Sequence, residues 1–220
     1  MRYTFKGKLE KNEQGFYLNI PFNVWEICEK EGNVPAKVRL ENATFVCNLA
    51  PLGKGYYHIP VPYDLAVTLE TGVDFNISFR ITKSDAWDSP YSTANPIRKI
   101  DSIDCIKQPR DGLCGQSCIA MLAGLTIDEV SNIMHCSEWQ ATMGKMINAL
   151  NYFGFEHSEE IIYTLGRTDV TLPKCAILME KMGRYNHYLI YFDGKYYDSG
   201  LGILNDYDFT QLVGYLEVLV

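Results

Sequence analysis

The sequence predicts an α+β protein in two parts: a small N-terminal β-barrel at 1–83, then, past a linker at 84–99, a domain of helices packed on an antiparallel sheet at 100–220. Three observations predict it. Up to about residue 84 the chain is a series of short alternating stretches separated by Gly, Pro and Asn, the mark of closely spaced strands. SDAWDSPYSTANPIRK follows, rich in Ser, Asp, Asn and Pro and without an apolar period, which reads as a linker. From Cys114 the period becomes helical, and from Lys174 it returns to strands, the order of an α+β domain.

Each element follows from its residues. TFKGKLEK, GFYLNIPF, AKVRLENATFVCNL, GYYHIPVP and VDFNISFRIT are the barrel stretches; closure into a barrel hides the edges of so many short strands. A short helix fits Asn23–Glu31, with Asn23 as N-cap and Gly32 past its end. Another fits Tyr63–Thr71, closed by Gly72. In the second part, CGQSCIAMLA is helical. Thr126 and Glu129 form a capping-box pair that opens a second helix, running to about His135. Thr142–Phe153 is a third, closed by Gly154. CAILMEKM, NHYLIYFDGKYYDSG and GYLEVLV are strands.

Composition narrows the function. The chain has 220 residues and 47% apolar content, ample for a packed core. No apolar run approaches the roughly 18 residues of a membrane span, and MRYTFKGKLEKNEQG has no apolar signal core. Seven cysteines without framework spacing lead us to expect reduced thiols and a cytoplasmic location. The net charge of −7 falls entirely in residues 99–220. An acidic half without a basic cluster argues against nucleic acid and against an anionic membrane surface. The charge leaves neutral or basic polypeptides, or small molecules, as partners; a peptide or protein substrate is expected, with the barrel as a further contact for a protein.

QPRDGLCGQSCIAML places Cys114 where a loop meets a helix. The free amides and positive dipole of a first helical turn favour a thiolate there. Gly115 keeps the approach open. Gln108 offers a side-chain amide to an oxyanion, beside the Cys114 N–H. The base is selected by hairpin geometry. Asp193-Gly194 is a two-residue turn signal; with that loop Phe192 faces Lys195, Leu189 faces Asp198 and His187 faces Gly200. His187 and Asp198 then share a face as diagonal neighbours, with backbones roughly 7–8 Å apart and side chains within hydrogen-bond reach. Asp193 is excluded as partner by a separation of roughly 20 Å along the strand. An imidazole backed by a carboxylate is set to take a proton from a thiol.

Gln108, Cys114-Gly115, ATMGKMINALNYFGFE, LPKCAILME and NHYLIYFDGKYYDSG together resemble the bacteriocin-processing, double-glycine leader cysteine peptidases of the papain-like class, over residues 101–220. Leu113 stands where that family usually has Asp. The resemblance implies a bacterial hydrolase, a thiol protease with Cys114 as nucleophile, His187 as base, Asp198 as orienting carboxylate and Gln108 in the oxyanion hole. It also implies cleavage after small residues. The chemistry needs no metal or organic cofactor. Residues 3–82 resemble the barrel family known as domain of unknown function 1905, through FKGKLEKNEQGFYLNIPFNVW, VPAKVRLENATFVCNLAPLGKGYYHIPVP and TGVDFNISFRI.

Other assignments compete. Cys114 as a buried structural cysteine is the bland alternative, and Cys118, one turn on, is the rival nucleophile, read as core. Cys105, Cys114, Cys118, His135 and Cys136 offer zinc ligands, but their spacings match no common finger. His58 reads as structural, His135 and His157 as helix-end and surface residues. Tyr185, Tyr188, Tyr191, Tyr196 and Tyr197 read as sheet cover, some as groove lining. The rival functions are a non-enzymatic polypeptide-binding module with a peptidase-like fold, and a thioester-forming acyltransferase or amidase.

Overall fold

The computed structural model describes residues 1–82 and 89–220. The chain divides into two compact units. One comprises Met1–Ile97 with Asn151–Gly154, the other Arg98–Leu150 with Phe155–Val220.

The first unit is a closed barrel of six strands: β1 (Tyr3–Asn12), β2 (Gly15–Asn19), β3 (Val34–Leu40), β4 (Ala43–Gly53), β5 (Tyr56–Val61) and β6 (Asp74–Ile81), in the order β1-β2-β5-β4-β3-β6. β6 pairs with both β1 and β3, which closes the ring. Alternation along β1 turns Phe5, Gly7 and Leu9 inward and the lysines between them to solvent. Leu18, Val34, Val38, Ile59 and Ile77 are fully buried in the centre. AKVRLENATFVCNL forms two strands, β3 and β4: Leu40 pairs with Ala43 and Glu41 takes φ 50°, so Glu41-Asn42 is a hairpin turn. Helix α1 (Val24–Cys28) starts at Asn23, whose side chain accepts from Trp25 and Glu26 N–H as expected of an N-cap. It ends earlier than expected, at Glu29 in the left-handed region. Helix α2 is a single turn, Tyr63–Ala66.

Of the expected linker, 84–88 lie outside the described residues. Residues 89–97 are fastened to the barrel. Thr44 N–H donates to Thr93 Oγ1 at 2.7 Å and Thr93 N–H to Thr44 O at 3.0 Å. Asn95 Nδ2 donates to Asp64 at 3.3 Å. Here the polar composition supplies hydrogen bonds to a strand edge rather than freedom from contact.

The second unit has three helices, α3 (Cys114–Ala123), α4 (Ile127–Met134) and α5 (Met143–Tyr152), the last of which ends in the residues assigned to the first unit. Its sheet comprises β7 (Ile162–Tyr163), β8 (Cys175–Met182), β9 (Tyr185–Phe192), β10 (Lys195–Asp198), β11 (Gly202–Leu204) and β12 (Leu212–Glu217), ordered β11-β10-β9-β8-β12-β7 with antiparallel pairing. The two shortest strands, β7 and β11, carry too few residues to show a period in sequence. α3 is buried from Gly115 to Ala123, a run of small and apolar residues interrupted by Gln116, whose Nε2 donates to Ser137 O at 2.8 Å. α4 opens with the expected capping box between Thr126 and Glu129. On one face of the sheet Ala176, Leu178, Leu189, Leu212 and Tyr215 form a core with Tyr196. Asp193 and Gly194 take φ 47° and 85° in the turn between β9 and β10.

Candidate active site

Cys114 is the first residue of α3. Leu113, at the N-cap, offers no side-chain acceptor, so no capping group takes up the first-turn N–H groups. The opposite end is closed tightly. Gly124 takes φ 69°, and Arg98 donates from Nε to Leu122 O at 2.8 Å and from Nη2 to Met121 O at 3.3 Å. A guanidinium on the last carbonyls complements the helix dipole, and it also ties Arg98, expected in the linker, to this unit.

β9 and β10 position His187 and Asp198. The observed pairs Phe192–Lys195, Tyr191–Tyr196 and Ile190–Tyr197 are the register expected from the Asp193-Gly194 turn. His187 Nε2 lies 2.6 Å from Asp198 Oδ2. The other carboxylate oxygen accepts from Gly200 N–H at 2.7 Å and Leu201 N–H at 2.9 Å. Asp198 is 3% exposed. Burial pushes its carboxyl up, but the His187 hydrogen bond and the two backbone N–H groups outweigh it and hold the group below its ordinary range. The His187 ring is raised to about 10, first by its hydrogen bond to Asp198 and then by one with Cys114, against desolvation. With Nε2 engaged by Asp198, Nδ1 is the ring nitrogen left for the sulfur.

Gln108 joins the same cluster. Its N–H donates to Ser199 O at 2.9 Å, next to Asp198 in the chain. Its Oε1 accepts the Leu113 N–H at 3.3 Å, next to Cys114. With the oxygen occupied, the amide N–H groups are the donors that remain for an oxyanion. Gln108, Cys114, His187 and Asp198 are thus brought together from a loop, a helix start and two strands.

Two clefts flank them. One, of about 410 Å³, is lined by Cys114, Gly112, Trp139, Arg184, Tyr185 and Tyr188 among others. Trp139 packs on Tyr185 with ring centroids 5.1 Å apart, and the Trp139 backbone N–H donates to Gly112 O at 2.8 Å. Gly112 has φ 87°, and a Cβ there would lie 2.7 Å from the Trp139 ring, so both backbone and space demand glycine. The second cleft, of about 440 Å³, is lined by His187 and Asp198 but not by Cys114. Sequence reading missed Trp139 and Gly112; a lone Trp in a polar loop, HCSEWQAT, carries no periodic signal.

Gly115 has a different role from the one expected. It is buried, and a Cβ would lie 2.5 Å from Ala141 Cβ and 3.2 Å from Met146 Sδ. It lets α3 approach the loop before α5 rather than clearing a path for substrate. Cys118 is fully buried, and burial raises its thiol well above the ordinary value. Cys105 donates its thiol to Asp198 O at 3.7 Å. Cys136 is buried, and His135 forms the left-handed C-cap of α4. Among the described residues no group of three or more His, Cys, Asp or Glu side chains is arranged to hold a metal. His58 is buried in β5 against Tyr17, at 4.8 Å between centroids, and desolvation lowers its pKa. His157, expected at the surface, is 6% exposed: its Nδ1 lies 2.7 Å from Ser158 O and its backbone bridges to Val218. Of the tyrosines, 185 and 188 line the first cleft, while 191 and 196 pack in the sheet core.

No curated protein matches the chain. Residues 5–78, which run from β1 through most of β6, match the family described as Domain of unknown function (DUF1905).

Proposed function

We propose that the second unit is a papain-like cysteine peptidase that cleaves a peptide or a flexible protein tail through a thioester. The observation that carries this reading is the His187–Asp198 hydrogen bond, 2.6 Å long, set in one cluster with Gln108 and with Cys114 at the uncapped start of α3. The Cys114 proton rests on His187, and the sulfur attacks the carbonyl carbon. The charge that develops on the oxygen meets the Gln108 amide and the Cys114 N–H. The C–N bond breaks as His187 returns the proton to the leaving amine. His187 then draws a proton from water, the hydroxide attacks the thioester, and Cys114 is regenerated as a carboxylic acid departs. The likeness to double-glycine leader peptidases favours a small residue at the cleaved bond.

The test is a peptide library varied on both sides of the bond, with products read by mass spectrometry. Cleavage that Cys114→Ala abolishes supports the reading. A reactive Cys114 with no peptide cleaved turns the assignment to acyl transfer or amide hydrolysis on another substrate. Equal, slow alkylation of all seven cysteines turns it to a binding module.

A further inference from the structure

We propose that the cleft on the imidazole side of the site seats the segment that departs as the amine product, and that this segment carries a Lys or Arg side chain close to the cut. The inference rests on the peptidase reading and adds a substrate class to it. The polarity follows from the chemistry. The acyl half stays on sulfur, whereas the leaving nitrogen must receive its proton from His187 and so departs within hydrogen-bond reach of that ring. Of the two clefts, the one lined by Cys114 does not include His187, and the one lined by His187 does not include Cys114. The first therefore holds the acyl half and the second the leaving half.

The leaving-side cleft is shaped for a long cationic side chain. Glu180 stands opposite His187 in the β8–β9 ladder, and Asp206 and Asp208 line the same cleft, while among the described residues no lysine or arginine does. Asp208 is kept ionised by hydrogen bonds from Thr210, which lower its pKa. Leu201, 77% exposed, and Leu204 add an apolar wall. An aliphatic stem on the leucines with its charged head among the carboxylates satisfies both surfaces. The Cys114 cleft has the opposite character, with aromatic rings and Arg184.

The test uses quenched peptides that share one acyl half and carry Lys, Ala or Glu at the first leaving-side positions. kcat/KM is expected to fall from Lys to Ala to Glu, by about fivefold for each carboxylate engaged, with the spread shrinking as salt rises. Asp206→Lys, which trades one of three carboxylates for a cation, is expected to shrink the Lys-over-Glu ratio and to raise the rate on the Glu peptide, a gain that a misfolded variant does not produce. Equal rates for the three peptides, or a Lys-over-Glu ratio that Asp206→Lys leaves unchanged, overturn the proposal. If no peptide is cleaved, the peptidase reading falls separately. Fluorescence anisotropy of the same Lys and Glu peptides on Cys114→Ala then decides the cleft: tighter binding of the Lys peptide, reduced in Cys114→Ala/Asp206→Lys, supports it, and equal binding overturns it.

Discussion

His187 and Asp198 are neighbours across the β9–β10 hairpin, with Nε2 2.6 Å from Oδ2, eleven residues apart in the chain. The separation is the product of a two-residue turn and a period of two, and the pair it creates holds the imidazole charged. The ring is raised to about 10 by Asp198 and Cys114. Its Cε1–H resonance is therefore expected to show no titration step between about pH 5 and 8, where an unperturbed histidine titrates. Asp198→Ala is expected to return the step toward the ordinary value. A ring raised on folding contributes stability that is complete below about pH 6.5 and lost as pH rises through about 10. Asp198 works in the other direction: its contribution is present above the ordinary carboxylate value and lost as pH falls through its depressed one. Urea midpoints measured across both windows check the two signs.

Cys114 is expected to alkylate first of the seven cysteines with an iodoacetamide reagent at neutral pH. Cys47, Cys118, Cys136 and Cys175 are buried, and burial drives the Cys175 thiol up to about 12. Cys28 and Cys105 are partly accessible, but desolvation raises both, which leaves less of the reactive thiolate. Peptide mapping after short exposure reads the order. First labelling at Cys28 or Cys105 contradicts it.

Mutation of the charge chain is expected to separate nucleophile from orienter. Cys114→Ala is expected to abolish turnover of a cleavable peptide. Asp198→Asn is expected to lower kcat by up to about 10⁴-fold while leaving the nucleophile in place. Comparable losses in KM alone contradict the assignment of Asp198 to the base.

Gly115→Ala is expected to destabilise the second unit by about 1–3 kcal/mol through overpacking, because the added carbon meets Ala141 Cβ at 2.5 Å. Gly115→Ala combined with Ala141→Gly is expected to recover part of that loss. Thermal denaturation of the four members of the cycle reads the coupling, and additivity of the two single effects contradicts the contact.

Arg98→Ala is expected to cost about 1–2 kcal/mol, through loss of a charged donor to the end carbonyls of a buried helix. Arg98→Lys is expected to restore less than half of this, because a single ammonium cannot reproduce the guanidinium fork. An unchanged unfolding midpoint in Arg98→Ala contradicts the cap.

Local chemistry was legible where a few adjacent residues decide the outcome. The Asn23 N-cap, the Thr126–Glu129 box, the span of α3 and the Asp193-Gly194 register all follow from turn and capping rules, each satisfied within a handful of residues. That register brought His187 and Asp198 together on paper because side chains two apart on a strand share a face. The alternation of the first 82 residues likewise foretold strands whose edges must be hidden.

The remainder depended on contacts between segments distant in the chain. That Gly115 is demanded by Ala141 and Met146, that Gly112 is demanded by Trp139, that Arg98 closes α3, and that 89–97 bind β4 are facts about neighbours no local pattern encodes. The same holds for the two clefts, since a concave surface is formed by several elements at once and by none of them singly. The helices, the longer strands and the Asp193-Gly194 register are written in adjacent residues, because they are short-range choices of backbone and periodicity. Tertiary structure alone decided which glycines are obligatory, which histidines are buried and which cleft adjoins the sulfur or the ring, because close packing is a property of surfaces brought together only by folding.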